Sequence, residues 1–422
     1  MGHVEDRWFK TVQRPDGKNV RVKTGLYGVG LRYRVRYIDP ATGRERKKSF
    51  PDRAKRAADE YLISVESDKL RGSYIDPAAG RMLFRDYAET WLRTRRLDES
   101  SREGVEIRVR KHLYPFFGHR ELSSIRPGLI REWEREVEDV IGPGTRAVTF
   151  THLRTILGAA VDDERIGKNP CSAKSVDPPR PIERKVVPWT FEQVRSIRAG
   201  IPARYQPMVD IGSGCGLRQG EILGLAVEDV DFLTGWVHVR RQVKRVRSRL
   251  AFGLPKNDKE RRVPLSDALA DILARHMAAV PPVPVTLPWE NPLKGEPVTA
   301  TLLFTTTRKN AINRGDFNSD VWHPALEQAG IERSRATGMH ALRHFYASAL
   351  LDAGETIKAL AAYLGHADPG FTLRTYTHIM PASEDRARKA IDALFGKPQR
   401  PVTPWPRPGR RWKRRFRSSQ PV

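Results

Sequence analysis

Four short stretches carry side chains able to act together on phosphorus. GLRQGE (216–221) supplies Arg218, and PKNDKERRVPL (255–265) supplies Lys256. HALRH (340–344) supplies His340 and Arg343, three apart and on one helical face, and LGHADPGFTLRTYTH (364–378) supplies His366 and, ten residues on, Tyr376. In-line displacement at a phosphodiester builds charge on the non-bridging oxygens, which preorganised cations offset. Two arginines suit that task, because the guanidinium fork binds phosphate oxygens bidentately and keeps its charge. Two histidines can donate hydrogen bonds or move protons near neutral pH. A lysine can protonate a departing alkoxide, and a tyrosine hydroxyl can attack and hold the phosphoryl group as an ester. With a pKa near ~10, only about one tyrosine in a thousand is ionised at pH 7. The hydroxyl therefore needs a base or a cationic pocket, and the other residues would build one. Arginines that neutralise the phosphate remove the need for a divalent metal.

Taken singly, each stretch has a plainer reading. Tyr376 could be a packing aromatic with a wet tip. Residues 355–378 read as helix, turn, helix, the pattern of a DNA-reading helix-turn-helix. His340 and His344 stand at i, i+4 as a metal pair would, but no carboxylate or third histidine stands at ligand spacing. GSGCGLRQGEILGL (212–225) is glycine-rich, yet it has no G-x-x-x-x-G-K-[ST] and no βαβ context for a dinucleotide loop. It reads better as a turn that delivers Arg218 to a helix start, with Ile222 and Leu225 facing the core and Glu221 orienting the guanidinium. PKNDKERRVPL reads as a hairpin, with Lys256 before an Asn-Asp turn and a strand from Arg262 to Leu265.

The elements that must position these residues fall into four zones. Residues 1–80 carry 18 Lys/Arg against 11 Asp/Glu. Within them LRYRVRYID alternates Leu31, Tyr33, Val35 and Tyr37 with Arg32, Arg34 and Arg36, the period of a strand with one apolar and one cationic face. The turn DPATG, a second strand RERKKSF and a helix from about Pro51 to Arg71 follow. Such a face can track phosphates; the alternative is a solvated edge strand whose charges prevent pairing. Residues 81–180 read as helical, with Leu83, Tyr87 and Trp91 as an apolar stripe and further helices around REWEREVEDV and THLRTILGAAVDDERI. The Pro-rich, charged residues 179–187 are the linker, and 187–396 holds every chemical motif. Residues 397–422 carry nine Lys/Arg and no acid and read as a disordered basic tail.

Composition bounds the partners. A formal charge of +25 over 422 residues favours nucleic acid or another polyanion. No apolar run approaches 18–20 residues, which argues against a membrane span and a signal peptide and for a cytoplasmic protein. Cys171 and Cys215 suit a reducing compartment and act as small apolar residues. No Cys-x-x-Cys or His-Glu-x-x-His run marks a zinc site.

In type, order and approximate spacing, Arg in GLRQGE, Lys in PKNDKERRVPL, H-x-x-R in HALRH, His in LGH and Tyr in RTYTH resemble the tyrosine recombinase (phage integrase) family. The resemblance implies a multidomain α+β chain. A small N-terminal three-stranded sheet plus helix (1–80) would bind arm-type DNA, and a helical domain (81–180) would bind core sites. A mainly helical catalytic domain with a small β-sheet would span 187–396. It implies that Arg218 and Arg343 clamp phosphate, that Lys256 (less plausibly Lys259) is the general acid, and that His340 acts as base or acid near the nucleophile. His366 would hydrogen-bond the scissile phosphate and Tyr376 would form a 3′-phosphotyrosyl bond. It implies strand exchange on double-stranded DNA without ATP, cofactor or metal, by a homotetramer on paired sites, with a directionality factor or host DNA-bending protein as accessory partners. The helix at SEDRARKAIDALF (383–395), with Ala387, Ile391, Leu394 and Phe395 as its stripe, would dock on a neighbouring subunit. The basic N-terminal zone favours the integrase of a phage or mobile element. The alternatives are a non-catalytic helix-turn-helix protein, which leaves Arg218, Lys256 and His340 unexplained, and a type IB topoisomerase-like enzyme.

Overall fold

The computed structural model describes residues 2–15, 17–40, 42–71, 74–76, 79–180, 186–256, 259–376 and 384–395. The basic tail expected at 397–422 lies outside the described residues. Two compact units result: residues 1–184 with 244–253 and 286–298, and residues 185–243 and 254–285 with the chain from 299 onward. Among the described residues no helix is long and apolar enough to cross a membrane.

The chain opens with β1 (His3–Asp6), β2 (Phe9–Gln13), β3 (Asn19–Lys23), β4 (Tyr33–Ile38), β5 (Glu45–Phe50) and α1 (Lys55–Leu70). β1, β4 and β5 form an antiparallel three-stranded sheet with β4 in the middle, and β2 and β3 form a separate ribbon. The period of two in β4 is realised: Tyr33, Val35 and Tyr37 are buried and pack with Ala58 and Val65 of α1. Because β4 is bonded on both sides, the edge-strand alternative does not hold. Leu31, grouped with the strand by its spacing, is exposed and precedes it. α1 starts four residues later than expected, because Pro51 and a turn with Arg53 at φ 65° come first.

α2 (Phe84–Thr94), α3 (Glu99–Arg108), α4 (Tyr114–Phe117), α5 (Pro127–Glu138) and α6 (Pro143–Asp162) surround Phe84, Phe117, Trp133, Leu153 and Ile156. The core face of α2 is Phe84, Tyr87, Ala88 and Leu92; of the expected stripe Tyr87 is buried, Trp91 packs half-buried against that core, and Leu83 is exposed. Leu83 sits before the helix in extended backbone and bridges Glu121 instead.

Downstream come α7 (Phe191–Gly200), α8 (Gln206–Gly214), α9 (Gln219–Leu223), β6 (Val230–Asp231), β7 (Trp236–Val239), β8 (Gln242–Val246), β9 (Arg249–Gly253) and β10 (Arg261–Pro264). They are followed by α10 (Asp267–Ala279), β11 (Val283–Pro288), β12 (Pro297–Leu302), α11 (Arg314–Phe317) and α12 (His323–Gln328). Last are α13 (His340–Asp352), α14 (Ile357–Leu364), α15 (Pro369–Tyr376) and α16 (Glu384–Leu394). The sheet order is β10-β7-β6, with two-stranded ladders β8-β9 and β11-β12. The hairpin expected over 255–265 is therefore corrected: Lys256 lies between β9 and β10, which pair with different strands. Val263 of β10, fully buried opposite Val237, is held by β7 and not by the segment around Lys256.

The glycines of 212–216 serve helix contact. A Cβ on Gly212 would lie 2.8 Å from Leu342 Cδ1, and one on Gly216, at φ +62°, would lie 2.4 Å from the Tyr346 ring. Side chains there would push α13 away from α8 and its exit turn. Gly216→Ala should thus combine left-handed strain of about 1–2 kcal/mol with a clash on Tyr346. Gly330→Ala, at φ +68° with nothing within 4 Å, carries the strain alone. Denaturant titration should show Gly216→Ala as clearly the more destabilised of the two. Equal losses would refute the packing role of Gly216.

Candidate active site

Three arginines and one carboxylate form the base of the site. Arg218 stands in extended backbone at the start of α9, so the turn after Gly216 aims it across the helix end. Glu221, one turn into α9 and 1 % exposed, accepts from the Arg218 backbone N–H (2.8 Å) and from Arg218 Nη1 (2.9 Å). The same carboxylate accepts a bidentate pair from Arg261, at 2.9 Å from Nη1 and 2.6 Å from Nη2. Although burial alone would raise it, the hydrogen bonds and charge of Arg261 and Arg218 hold the Glu221 pKa down at about 2. Arg261 also donates from Nε to the Tyr363 carbonyl at 2.7 Å.

Arg343 is buried on α13 and reaches two chain reversals. Its Nη1 donates to the Gly216 carbonyl at 2.8 Å, and its Nη2 donates to the Leu364 carbonyl. Burial, with Arg218 and Arg261 nearby, lowers its pKa to about 9. The Leu364 carbonyl is free to accept because α14 ends at Gly365 in the left-handed conformation. Glycine is needed there twice over: φ is +65°, and a Cβ would sit 3.0 Å from Arg261 Cδ.

That turn delivers His366. Arg343 Nη2 faces His366 Nε2 at 3.3 Å, and His366 Nδ1 is 2.7 Å from Thr372 Oγ1. A guanidinium only donates, so the network assigns Nε2 as acceptor and Nδ1–H as donor to Thr372. Burial and then the charges of Arg343, Arg218, Arg261 and Lys256 lower the His366 pKa to about 4.

Tyr376 closes the group from the last residue of α15, 1 % exposed. Its hydroxyl is 2.8 Å from His344 Nδ1. Burial pushes the phenol up to about 12, against the pull of Arg343 and Arg218. His344 is lowered to about 4 by burial and Arg343, and is therefore neutral at pH 7. His340 stacks edge-on against His344 at 4.7 Å between ring centroids. His340 is exposed as a residue. Burial of its ring nitrogens among neighbouring atoms, then His344 and Arg343, lowers its pKa to about 3.

The expected residues other than Lys256 fall into three contact groups: Arg218 with Glu221 and Arg261, Arg343 with His366 and Thr372, and Tyr376 and His340 on either side of His344. Lys256 is exposed, and its charge is felt at His366. Lys259 is exposed as well. The partner of the tyrosine hydroxyl is His344 and not His340, which touches it only through His344. Sequence reasoning missed His344, Arg261 and Thr372. The i, i+4 spacing of His340 and His344 was the available signal, read there only as a metal pattern. Among the described residues no group of three His, Cys, Asp or Glu is placed to hold a metal. The helix–turn–helix of α14 and α15 turns Thr372 and Tyr376 inward and leaves Phe371 and Leu373 exposed.

Residues 190–382 match the phage integrase family, and residues 83–136 match the phage integrase N-terminal SAM-like domain. The chain belongs to the tyrosine recombinase (phage integrase) family, whose members are site-specific recombinases. It is 25% identical over 379 residues to a tyrosine recombinase XerC-like protein of Caldanaerobacter subterraneus, covering 83% of this chain and 92% of that one. Its fold is similar to the Tn1549 transposon integrase solved with a circular intermediate DNA, at TM-score 0.62 and 21% identity, covering 74% of this chain and 100% of the other. It is also similar to a lambda integrase tetramer bound to a Holliday junction, at TM-score 0.54 and 14% identity, covering 81% and 91%.

A depressed carboxylate pKa contributes stability that is complete above the unfolded value and is lost as pH falls toward the folded one. For Glu221 that window runs from its ordinary 4.5 down to about 2, and the contribution is about 3 kcal/mol. Glu221→Gln should be markedly less stable than wild type at pH 7, and the two stability curves should converge between pH 4.5 and pH 2. A pH-independent difference would show that the carboxylate charge is not what holds the arginines.

Proposed function

We propose that the chain cuts and rejoins double-stranded DNA through a 3′-phosphotyrosine on Tyr376, without ATP or metal, as the integrase of a phage or mobile element. The observation that carries this reading is the convergence of Arg218, Arg343, His366 and Tyr376 on one small volume, from elements far apart in sequence. Three guanidiniums, of Arg218, Arg261 and Arg343, face one carboxylate, Glu221, which leaves a net positive pocket suited to one phosphodiester. On binding, the phosphate oxygens would take the outward donors of Arg218 and Arg343, and His366 would turn from acceptor to donor as an anion arrives.

The proton balance follows from the same contacts. A phenol with a pKa of about 12 is ionised in roughly one molecule in 10⁵ at pH 7, so attack needs a proton acceptor in contact. His344 Nδ1, in contact and neutral, is that acceptor. As the bond from Tyr376 Oη to phosphorus forms, the bond to the 5′-oxygen breaks, and Lys256 protonates the departing oxygen. The reverse sequence, with the 5′-hydroxyl of another strand attacking, rejoins DNA without an outside energy source. Tyr376 is enclosed in the single chain, so α15 must shift for DNA to reach it.

α16 supports assembly. Ile391, Leu394 and Phe395 are 53%, 78% and 77% exposed, an apolar face that is uncovered among the described residues. Docking of this face on a neighbouring copy would join four subunits on paired sites, the assembly seen for lambda integrase on a Holliday junction. Arm and core sites would be bound by residues 1–80 and 81–180.

A nicked attachment-site duplex incubated with the protein in EDTA and without nucleotide should yield a covalent adduct on a denaturing gel. Tyr376→Phe should bind the DNA and give none; an adduct from that variant would sink the proposal. His344→Leu should slow adduct formation by about 10²–10⁴ while DNA affinity stays near wild type. A wild-type rate would remove His344 from the proton path. Truncation after Pro381 should abolish assembly on paired sites, and retained assembly would refute the docking role of α16.

A further inference from the structure

The N-terminal region holds its cations in two different states. In the three-stranded sheet most are already paired with acids. Arg36 bridges Glu5 and Glu45, Arg46 bridges Asp39 and Asp76, and Lys47 meets Glu45. Arg32, just before β4, bridges Asp6 and Asp52. A phosphate approaching this face must compete with carboxylates already in place.

The ribbon β2–β3 and the chain that flanks it differ. Residues 7–32 contain seven Lys/Arg and a single acid, Asp16. Lys10, Arg14 and Lys23 are exposed and, among the described residues, meet no carboxylate. Arg21 ties β3 to Asp6 of β1, and further contacts hold the ribbon at its base. There Trp8 donates from Nε1 to the Val29 carbonyl at 3.2 Å, and Phe9 meets Tyr27 edge-on at 5.4 Å. Arg21 lies 4.3 Å over Phe9, and Lys23 lies 3.9 Å over Tyr27. Val12 and Val22, on the face opposite Phe9, are 41% and 42% exposed. A two-stranded ribbon with both faces in water is only marginally stable by itself, and a ribbon of this width fits the major groove of duplex DNA.

We propose that the β2–β3 ribbon, and not the three-stranded sheet, makes the phosphate contacts of the N-terminal region with duplex DNA. The inference rests on the reading of residues 1–80 as DNA-binding and assigns that binding to one element. Charge decides the occupant, since Lys10, Arg14 and Lys23 are exposed cations that meet no carboxylate among the described residues and so select a polyanion, and the ribbon shape selects a duplex.

The test uses the full chain and a mixed-sequence 30-base-pair duplex, followed by fluorescence anisotropy from 50 to 200 mM salt. The ribbon variant K10Q/R14Q/K23Q removes three charges that have no ion-pair partner to strand. The sheet variant R34Q/K47Q serves as the comparison, and circular dichroism checks that both remain folded. If each lost charge is one phosphate contact, the ribbon variant's log–log salt slope should be shallower by about 2.7. Wild-type affinity should then fall about 40-fold more than the variant's across that range. The sheet variant should keep the wild-type slope. A slope reduced by the sheet variant as much as by the ribbon variant overturns the assignment to the ribbon and leaves the N-terminal DNA reading intact. A wild-type slope in both variants, and in their combination, overturns the two together.

Discussion

The carboxylate of Glu221 accepts four hydrogen bonds from two arginines in a nearly dry setting, and the remaining site geometry hangs on it. Like-charged guanidiniums crowd together only where a fixed anion offsets part of their repulsion. Glu221 offsets one charge of three and leaves the rest for a ligand. Through Arg261 it also fixes the end of α14, because the same guanidinium donates to the Tyr363 carbonyl. One buried anion thereby sets the charge of the pocket and the position of the turn that carries His366.

The cation excess has a second consequence. Added to burial, the larger cause, it keeps His340, His344 and His366 unprotonated in the free chain, while burial keeps the Tyr376 phenol protonated. The three imidazoles and the phenol therefore rest in their neutral forms. In the proposed reaction an incoming phosphate would supply the negative charge that shifts these balances and so tie chemistry to the presence of the substrate. The 2.8 Å contact between Tyr376 and His344 stores the hydroxyl beside a neutral base, out of solvent.

Backbone carbonyls do much of the positioning. Arg343 is oriented by the carbonyls of Gly216 and Leu364, each made available where a helix or turn ends at a left-handed glycine. The glycines at 216 and 365 also let Tyr346 and Arg261 approach closely. Composition bias that looks like a nucleotide loop is here a packing requirement between α8, its exit turn and α13.

Much of this was legible in the residues themselves. The order of Arg218, Lys256, His340, Arg343, His366 and Tyr376 carries the resemblance to the phage integrase family and motivates the proposed chemistry, because few residue sets could both neutralise a phosphodiester and attack it. Alternation in β4 and the punctuation at Pro51, Gly354 and Gly365 locate the elements, because local sterics and burial act over a few residues. Partner choice was not legible. Whether His340 or His344 meets the phenol depends on how α15 crosses α13, over a separation of more than thirty residues. That Arg261 shares Glu221, that Lys256 follows β9 without a hairpin, and that Phe84 replaces Leu83 in the core are also decided by packing between distant segments. Short-range pattern specifies which side chains are available; the tertiary fold alone specifies which of them come within hydrogen-bonding distance.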